Sequence, residues 1–490
     1  MFSFIIAIAA LILGYLLYGR FIERVFGPDP SRPTPATTKA DGVDFVPMPA
    51  WKVYMIQFLN IAGTGPIFGA IMGAKFGPAS YLWIVFGCIF AGAMHDYFSG
   101  MMSLREGGVS LPELIKKYLG KATSVVMLVF CVVMMMLVGA VFVYSPAIIL
   151  GDMAPLVSGN VKASIMIWCG VVFVYYIIAT MLPIDKIIGR FYPIFAFALI
   201  FMAVALCVCL VVKWPSIPEL WGGLGNMGEA SGLLKGQPLF PCLFITIACG
   251  AISGFHATQS PLMARCMKNE KLGRPIFYGA MITEGIIALI WAAVASYFFY
   301  GGGAAEVGSD LSAAAPTVVT RVSKDWLGLF GGILAILGVV AAPITSGDTA
   351  FRSARLIVAD FVKLPQKKHV HRLIIAVPLF ALAALLLWYN IADENGFNTI
   401  WRYFGWANQT LACFTLWTIT VWLTINKKGA YYLIGMLPAA FMTAVCTTYI
   451  CVDKIGFHMP AAWIPYIAVG VFTVSVCLYY LLSRKLRKAE

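Results

Sequence analysis

Thirteen stretches of this chain are long and apolar enough to cross a lipid bilayer, and no other feature constrains its fold as strongly. A crossing of the hydrocarbon core takes roughly 20 apolar residues in a helix. The stretches run over residues 2–26, 52–74, 79–104, 123–151, 163–182, 187–212, 239–264, 275–300, 327–361, 370–391, 399–425, 429–452 and 461–483. Backbone in lipid must satisfy its hydrogen bonds internally, so these stretches predict helices. The expected fold is an all-α polytopic membrane protein of about 13 transmembrane helices. Of the 490 residues, 61% are hydrophobic and 12% charged, which leaves too little polar surface for a soluble exterior. A soluble enzyme, a fibre and a disordered chain are thereby excluded.

The net charge of +13 is a topology signal and does not point to a nucleic-acid partner. With the N-terminus outside and the spans alternating, Lys and Arg concentrate in the inside segments. Arg20 and Arg24, Arg105 and Lys116, Lys186 and Arg190, Arg265 and Lys268, Arg352 and Arg355, Lys427 and Lys428, and Arg484 and Lys485 all fall there. The C-terminus is then cytoplasmic. The long polar stretch near 27–51 reads as a cytoplasmic linker held extended by its prolines. The 12 cysteines are scattered through apolar stretches without a C-x-x-C pair. They predict no disulfide framework or zinc ribbon, and read as small, lipid-tolerant residues.

Two spans carry an interruption. The second reads Asn60-Ile-Ala-Gly63-Thr64-Gly65-Pro66-Ile-Phe68, and the seventh reads Gly250-Ala-Ile-Ser253-Gly254-Phe255-His256-Ala-Thr258-Gln259-Ser260-Pro261. Pro66 and Pro261 each remove a backbone donor, and the glycines make unwinding cheap. Backbone freed this way must line a cavity or be buried in protein. By the charge rule the two spans run in opposite directions, and each opens a run of five helices. That is the arrangement of a 5+5 inverted repeat with broken helices at the midplane. The predicted organisation is a leading helix (1–26), the linker, a first repeat (52–212), an inverted second repeat (239–425), then two C-terminal helices and a basic tail (429–490).

The ninth span holds Pro343-Ile-Thr345-Ser346-Gly347-Asp348-Thr349, and its proline and glycine suggest a further break. Hydroxyls, a carboxylate and freed carbonyls suit a hard cation or a proton, with Asp348 alternatively pairing with Arg352 one turn on. His95, Asp96, His256 and Glu284 also lie within spans, where ionisable groups are candidates for function. Neighbours on a helix point about 100° apart, so His95 and Asp96 are expected to have different partners. Histidine near neutral pH can carry a proton.

Gly63-Thr-Gly-Pro-Ile-Phe-Gly-Ala-Ile-Met-Gly-Ala-Lys-Phe-Gly-Pro78, Met94-His-Asp-Tyr-Phe-Ser-Gly-Met-Met-Ser-Leu-Arg-Glu-Gly-Gly108, Ser253–Pro261 and Thr345–Thr349 resemble signatures of the carbon starvation protein A family. The likeness spans about residues 40 to 480. It implies uptake of peptides, or of pyruvate in some members, across the bacterial inner membrane. It also implies distant kinship with the amino acid–polyamine–organocation superfamily and its leucine-transporter-type fold. By position in that fold, a sodium ion would sit at Thr345 and Ser346 with carbonyls near Asn60–Gly63.

The sequence therefore reads as a secondary active transporter coupled to H⁺ or Na⁺, with a channel or membrane sensor as the alternative. Expected substrate contacts are Asn60, Gly63, Thr64, Gly65, Phe68, Ser253, Gly254, Phe255, His256, Thr258 and Gln259. Freed amides at the helix breaks would receive a substrate carboxylate. Expected coupling residues are His95, Asp96, Thr345, Ser346, Asp348 and Thr349. No P-loop, H-E-x-x-H or G-x-S-x-G motif is present, so neither ATP hydrolysis nor intramembrane catalysis is expected, and no cofactor beyond the coupling ion.

Overall fold

The computed structural model describes residues 1–181, 184–366, 368–393 and 396–486. Leu182, at the end of the fifth predicted stretch, and the last residues of the basic tail (487–490) lie outside the described residues. Everything regular in the described chain is helical. The first half comprises α1 (Phe2–Leu16), α2 (Tyr18–Phe26), α3 (Ala50–Ile61), α4 (Ala70–Ala74), α5 (Ala79–Phe86), α6 (Ala93–Arg105), α7 (Lys121–Met153), α8 (Val161–Met181) and α9 (Ile184–Lys213). The second comprises α10 (Leu239–Thr246), α11 (Gly254–Ala264), α12 (Gly279–Tyr300), α13 (Ala315–Val362), α14 (His369–Ala392), α15 (Gly396–Asn426), α16 (Leu433–Val452) and α17 (Ile464–Leu486). Short helices and π-helical turns join some of them.

Among the described residues, 10 helices are long and apolar enough to span a membrane, or 11 if the bent pair α3–α4 is counted as one crossing. That is fewer than the thirteen read from sequence. Two of the three missing stretches are broken spans, which offer two short helices in place of one long one, α10 and α11 each being far below spanning length; the third, α15, is an unbroken helix of 31 residues that is too polar to be counted. Large apolar side chains remain uncovered on α1, α8, α9, α14 and α17, among them Ile6, Val174, Val212, Leu385 and Val469. Water would not tolerate such a surface, whereas lipid requires it.

The interruptions lie partly where the sequence placed them. After α3 the chain leaves helical geometry at Ala62, runs through a π-helical turn at Gly65–Gly69, and resumes in α4 at 52° to α3. Pro66 stands in the first turn of this segment, where its missing N–H costs nothing. The second break covers 247–253 and ends before Pro261, which sits inside α11. Its pivot is Gly250, whose φ of +89° is open to glycine and strained for other residues. The expected break at Pro343 and Gly347 is corrected: α13 continues helically through both and bends earlier, at Gly328. Tyr176 braces the Pro343 turn by donating from its hydroxyl to the Pro343 carbonyl at 3.1 Å.

The two broken segments cross in contact. A β-carbon on Gly65 would lie 2.4 Å from both Cβ and Sγ of Cys249, a separation that real atoms do not adopt. Gly65→Ala is thus expected to destabilise the fold by about 1–3 kcal/mol through overpacking. Cys249→Gly in the same chain should recover most of that loss, because it removes both clashing atoms. Thermal unfolding of the two single variants and the double variant tests this coupling.

Candidate functional site

Four buried ionisable side chains from α6, α11 and α12 meet beside the crossing. Asp96 is the hub. Its Oδ1 lies 2.8 Å from His95 Nδ1, and its Oδ2 lies 2.8 Å from His256 Nδ1. His256 Nε2 in turn lies 3.5 Å from Glu284 Oε2. All four residues are fully buried. The expectation of different partners for His95 and Asp96 is corrected, because the adjacent pair touch. The aspartate arm is short and Nδ1 is the ring atom nearer the backbone, so the two span the angle between their Cβ directions. With Asp96 ionised, both rings donate from Nδ1, and a neutral His256 then turns the lone pair of Nε2 toward Glu284. The pair is satisfied by one positive charge between them or by a proton carried on Glu284.

The first break presents polar groups that no side chain or backbone group among the described residues satisfies. Both side-chain amide atoms of Asn60, and the Thr64 hydroxyl, are buried without hydrogen-bond partners. Gly63 lies against Phe142, whose ring meets Phe255 edge-on with centroids 6.1 Å apart. Phe68 faces Trp401 at 6.2 Å. Such groups call for a partner, a water or a ligand, that the surrounding side chains do not supply.

The second break is tied to α15 by a residue that sequence reasoning missed. Asn408 Oδ1 accepts from the Phe255 amide at 2.7 Å and from Ser253 Oγ at 3.1 Å. It caps α11 from another helix, so one of the freed amides expected at this N-terminus, that of Phe255, is already taken. The sequence held a weak signal, the polar pair Asn408-Gln409 inside an apolar span. Gly254 packs directly on this part of α15. Thr258 and Gln259 are not gathered at the crossing. Thr258 Oγ1 donates to the Phe255 carbonyl and lies 3.7 Å from Met135 Sδ, while Ser353 on α13 donates to the Thr258 carbonyl and lies 3.4 Å from Gln259 Oε1. They join helices, as hydroxyl and amide side chains in membranes commonly do.

On α13, Ser346 Oγ donates to the Leu59 carbonyl at 2.8 Å, which links this helix to the end of α3. Thr345 and Thr349 donate back to carbonyls of their own helix. Asp348 Oδ2 accepts from Tyr192 at 2.8 Å, and Tyr192 also reaches the Thr345 carbonyl at 3.0 Å. Arg352 extends to the Ala179 carbonyl and toward Asp44 of the linker, 3.8 Å away. A cavity of about 620 Å³ opens along α4 and α10, lined by Lys75, Thr246, Trp401, Arg402 and Lys454 among others; the residues of the crossing do not line it.

Broken helices meeting over buried, unpartnered polar groups in an all-helical membrane fold define a membrane transporter. The chain belongs to the carbon starvation protein CstA family, whose profile matches residues 1–151, 145–326 and 303–449. It is 47% identical over 339 residues to an uncharacterized membrane protein of Haemophilus influenzae, covering 61% of this chain and 91% of that one. It is 28% identical to the peptide transporter CstA of Campylobacter jejuni, with 92% and 79% covered. It is 25% identical to the pyruvate/proton symporter BtsT of Escherichia coli, with 90% and 80% covered. Among solved structures, the manganese transporter of Eremococcus coleocola aligns over 92% of this chain and 99% of its own, with a TM-score of 0.57 at 12% identity. A Na⁺-coupled sialic acid symporter aligns over 96% of both chains, with a TM-score of 0.54 at 13% identity. Likeness at this identity shows the fold alone, which is of the leucine-transporter type.

Proposed function

We propose that this transporter is a symporter of the bacterial inner membrane that takes up peptides or small carboxylates such as pyruvate, driven by a proton or sodium gradient. The observation that carries the reading is the crossing itself. Asn60 and Thr64 hold unmet polar groups where one broken helix passes the other. Substrate binds there, at Asn60, Gly63, Thr64, Gly65 and Phe68 on one side and Ser253, Gly254, Phe255 and His256 on the other. Thr258 and Gln259 belong to the wall behind it. Lys75 and Lys454 line the cavity along α4 and α10, where Arg402 is paired with Asp453 at 3.4 Å, and they favour an anion on its way to the crossing, which peptides and pyruvate both offer as a carboxylate. The names of the peptide-transporting and pyruvate-transporting relatives support the same substrate range.

The His95–Asp96–His256–Glu284 cluster is the coupling site for a proton, in keeping with the proton-symporting relative. A sodium site at Thr345 and Ser346, near the Leu59 carbonyl and with Asp348 and Thr349 one turn on, is the second reading. It is favoured by the contact of Ser346 with the broken helix. The proposed organisation keeps the N-terminus outside and the C-terminus inside, with thirteen crossings. The leading helix (1–26) and cytoplasmic linker (27–51) precede the five-helix repeats (52–212 and 239–425), and two helices with a basic tail follow (429–490).

Substrate affinity measured on purified Thr64→Val and His256→Ala proteins tests the site. Loss of one buried hydrogen bond to a charged ligand is expected to weaken binding by about tenfold or more in each. Unchanged affinity in both, with the proteins folded, rejects this location.

A further inference from the structure

We propose that the space between the second break and α12 is a binding site for a borderline-soft divalent metal ion of the zinc class, held by Cys249, His256 and Glu284. One sulfur, one imidazole nitrogen and one carboxylate oxygen from these residues all lie within 4.8 Å of one another, and all three residues are buried. His256 Nε2 and Glu284 Oε2, at 3.5 Å, already stand at the spacing of two ligands on one tetrahedral ion, roughly 3.3–3.8 Å. Neither atom has a hydrogen-bond partner, nor has Glu284 Oε1.

The surroundings are those of a metal-binding histidine. Asp96 takes the Nδ1 side of the His256 ring at 2.8 Å, fixing the tautomer and turning Nε2 outward to Glu284 and Cys249. A carboxylate behind a histidine in this way raises its basicity as a ligand. Asp96 is itself held by His95, so its orientation is set from both ends. Cys249, from sequence only a small apolar residue, stands between Gly65 and Ser253, whose hydroxyl is 3.4 Å from its sulfur. Binding releases the Cys249 thiol proton to solvent, and thiolate and carboxylate together neutralise the two positive charges of the ion. Three protein ligands leave a fourth position for a water or another small ligand.

This rests on the reading of the same cluster as the coupling site and adds its regulation. A metal ion there replaces the mobile proton and ties the second break to α12. It therefore arrests the broken helix, and Zn²⁺ acts as an inhibitor of uptake.

The test is Co²⁺ titration of the purified full chain, with X-ray absorption on the Zn²⁺-loaded wild-type protein. One ion per chain, a thiolate-to-cobalt charge-transfer band and one sulfur beside nitrogen and oxygen ligands are expected. Cys249→Ser should abolish the band, whereas Cys131→Ser should keep it. Asp96→Asn should weaken Zn²⁺ binding by about 10–100-fold. No sulfur in the absorption spectrum, or an undiminished band in folded Cys249→Ser, overturns the proposal; if that variant does not fold, the wild-type spectrum decides alone. The spectra need no gradient, so the two readings separate. A band without gradient-driven uptake removes the symporter reading and leaves the metal site, and driven uptake without sulfur ligation removes the metal site alone.

Discussion

Asp96→Asn is expected to abolish concentrative uptake, lowering the initial rate by at least about 100-fold. The carboxylate accepts from two buried histidines, each at 2.8 Å. Hydrogen bonds to a charged group contribute about 1.5–3 kcal/mol each; asparagine keeps one acceptor but loses the other and the charge, which weakens both contacts at this hub. An asparagine fills nearly the same volume, which preserves packing while presenting an N–H₂ donor to one of the rings. His256 is then released from its fixed orientation, and the contact between Nε2 and Glu284 is no longer enforced. The measurement is labelled-substrate uptake in proteoliposomes, with size-exclusion and thermal unfolding profiles showing that the variant is folded. A folded Asp96→Asn protein that accumulates substrate at the wild-type rate removes Asp96 from coupling.

Glu284→Gln is expected to separate exchange from accumulation. Glutamine copies the shape of the neutral acid but cannot take up or give back a proton. If His256 and Glu284 share the coupling proton across their 3.5 Å gap, the variant is held permanently in the loaded form. Substrate-loaded vesicles should still exchange internal for external substrate at a rate within about tenfold of wild type. Net accumulation should collapse, the steady-state ratio of inside to outside substrate falling to about 1 at any imposed pH gradient. The reasoning is thermodynamic, since a gradient drives flux only through a step that binds the ion differently in different states. Parallel counterflow and uptake assays on one preparation read both quantities. Retained accumulation assigns the coupling ion elsewhere, and the Ser346 contact with the Leu59 carbonyl makes Thr345–Thr349 the next place to look.

Much of the fold was legible because a membrane makes local sequence decisive. An apolar run of spanning length has one good solution, and that solution gave an all-helical membrane protein. The breaks were legible for the converse reason: glycine, hydroxyl and proline residues inside such a run must answer to something other than lipid. Which residue causes a break was less legible. Pro261 looked like the breaker and is accommodated inside α11, whereas Gly250, with its positive φ, makes the turn. In α13, Pro343 and Gly347 looked like the weak points, yet the bend is at Gly328. A proline removes one ladder bond, here to the Val339 carbonyl, and a long packed helix such as α13 carries that loss without breaking.

The site was legible as a set of residue types and illegible as a set of partners. His95, Asp96, His256 and Glu284 stood out because ionisable groups in a membrane are costly. That one carboxylate serves both its neighbour His95 and His256, 160 residues further along the chain, is a tertiary fact. Cys249 and Asn408 were missed for the same reason. A buried cysteine in an apolar run is ordinary until an imidazole and a carboxylate converge on it, and an asparagine is ordinary until it caps a helix from across the fold.

The central claim is that an ion gradient drives this transporter, and one measurement addresses it most directly. Purified protein is reconstituted into sealed vesicles, and uptake of labelled pyruvate and of short peptides is followed with a pH gradient, a sodium gradient, or neither imposed. The account predicts that at least one of these substrates accumulates above its external concentration under an inward proton gradient, and only equilibrates when the gradient is collapsed. Equal flux with and without either gradient would contradict it and leave a channel.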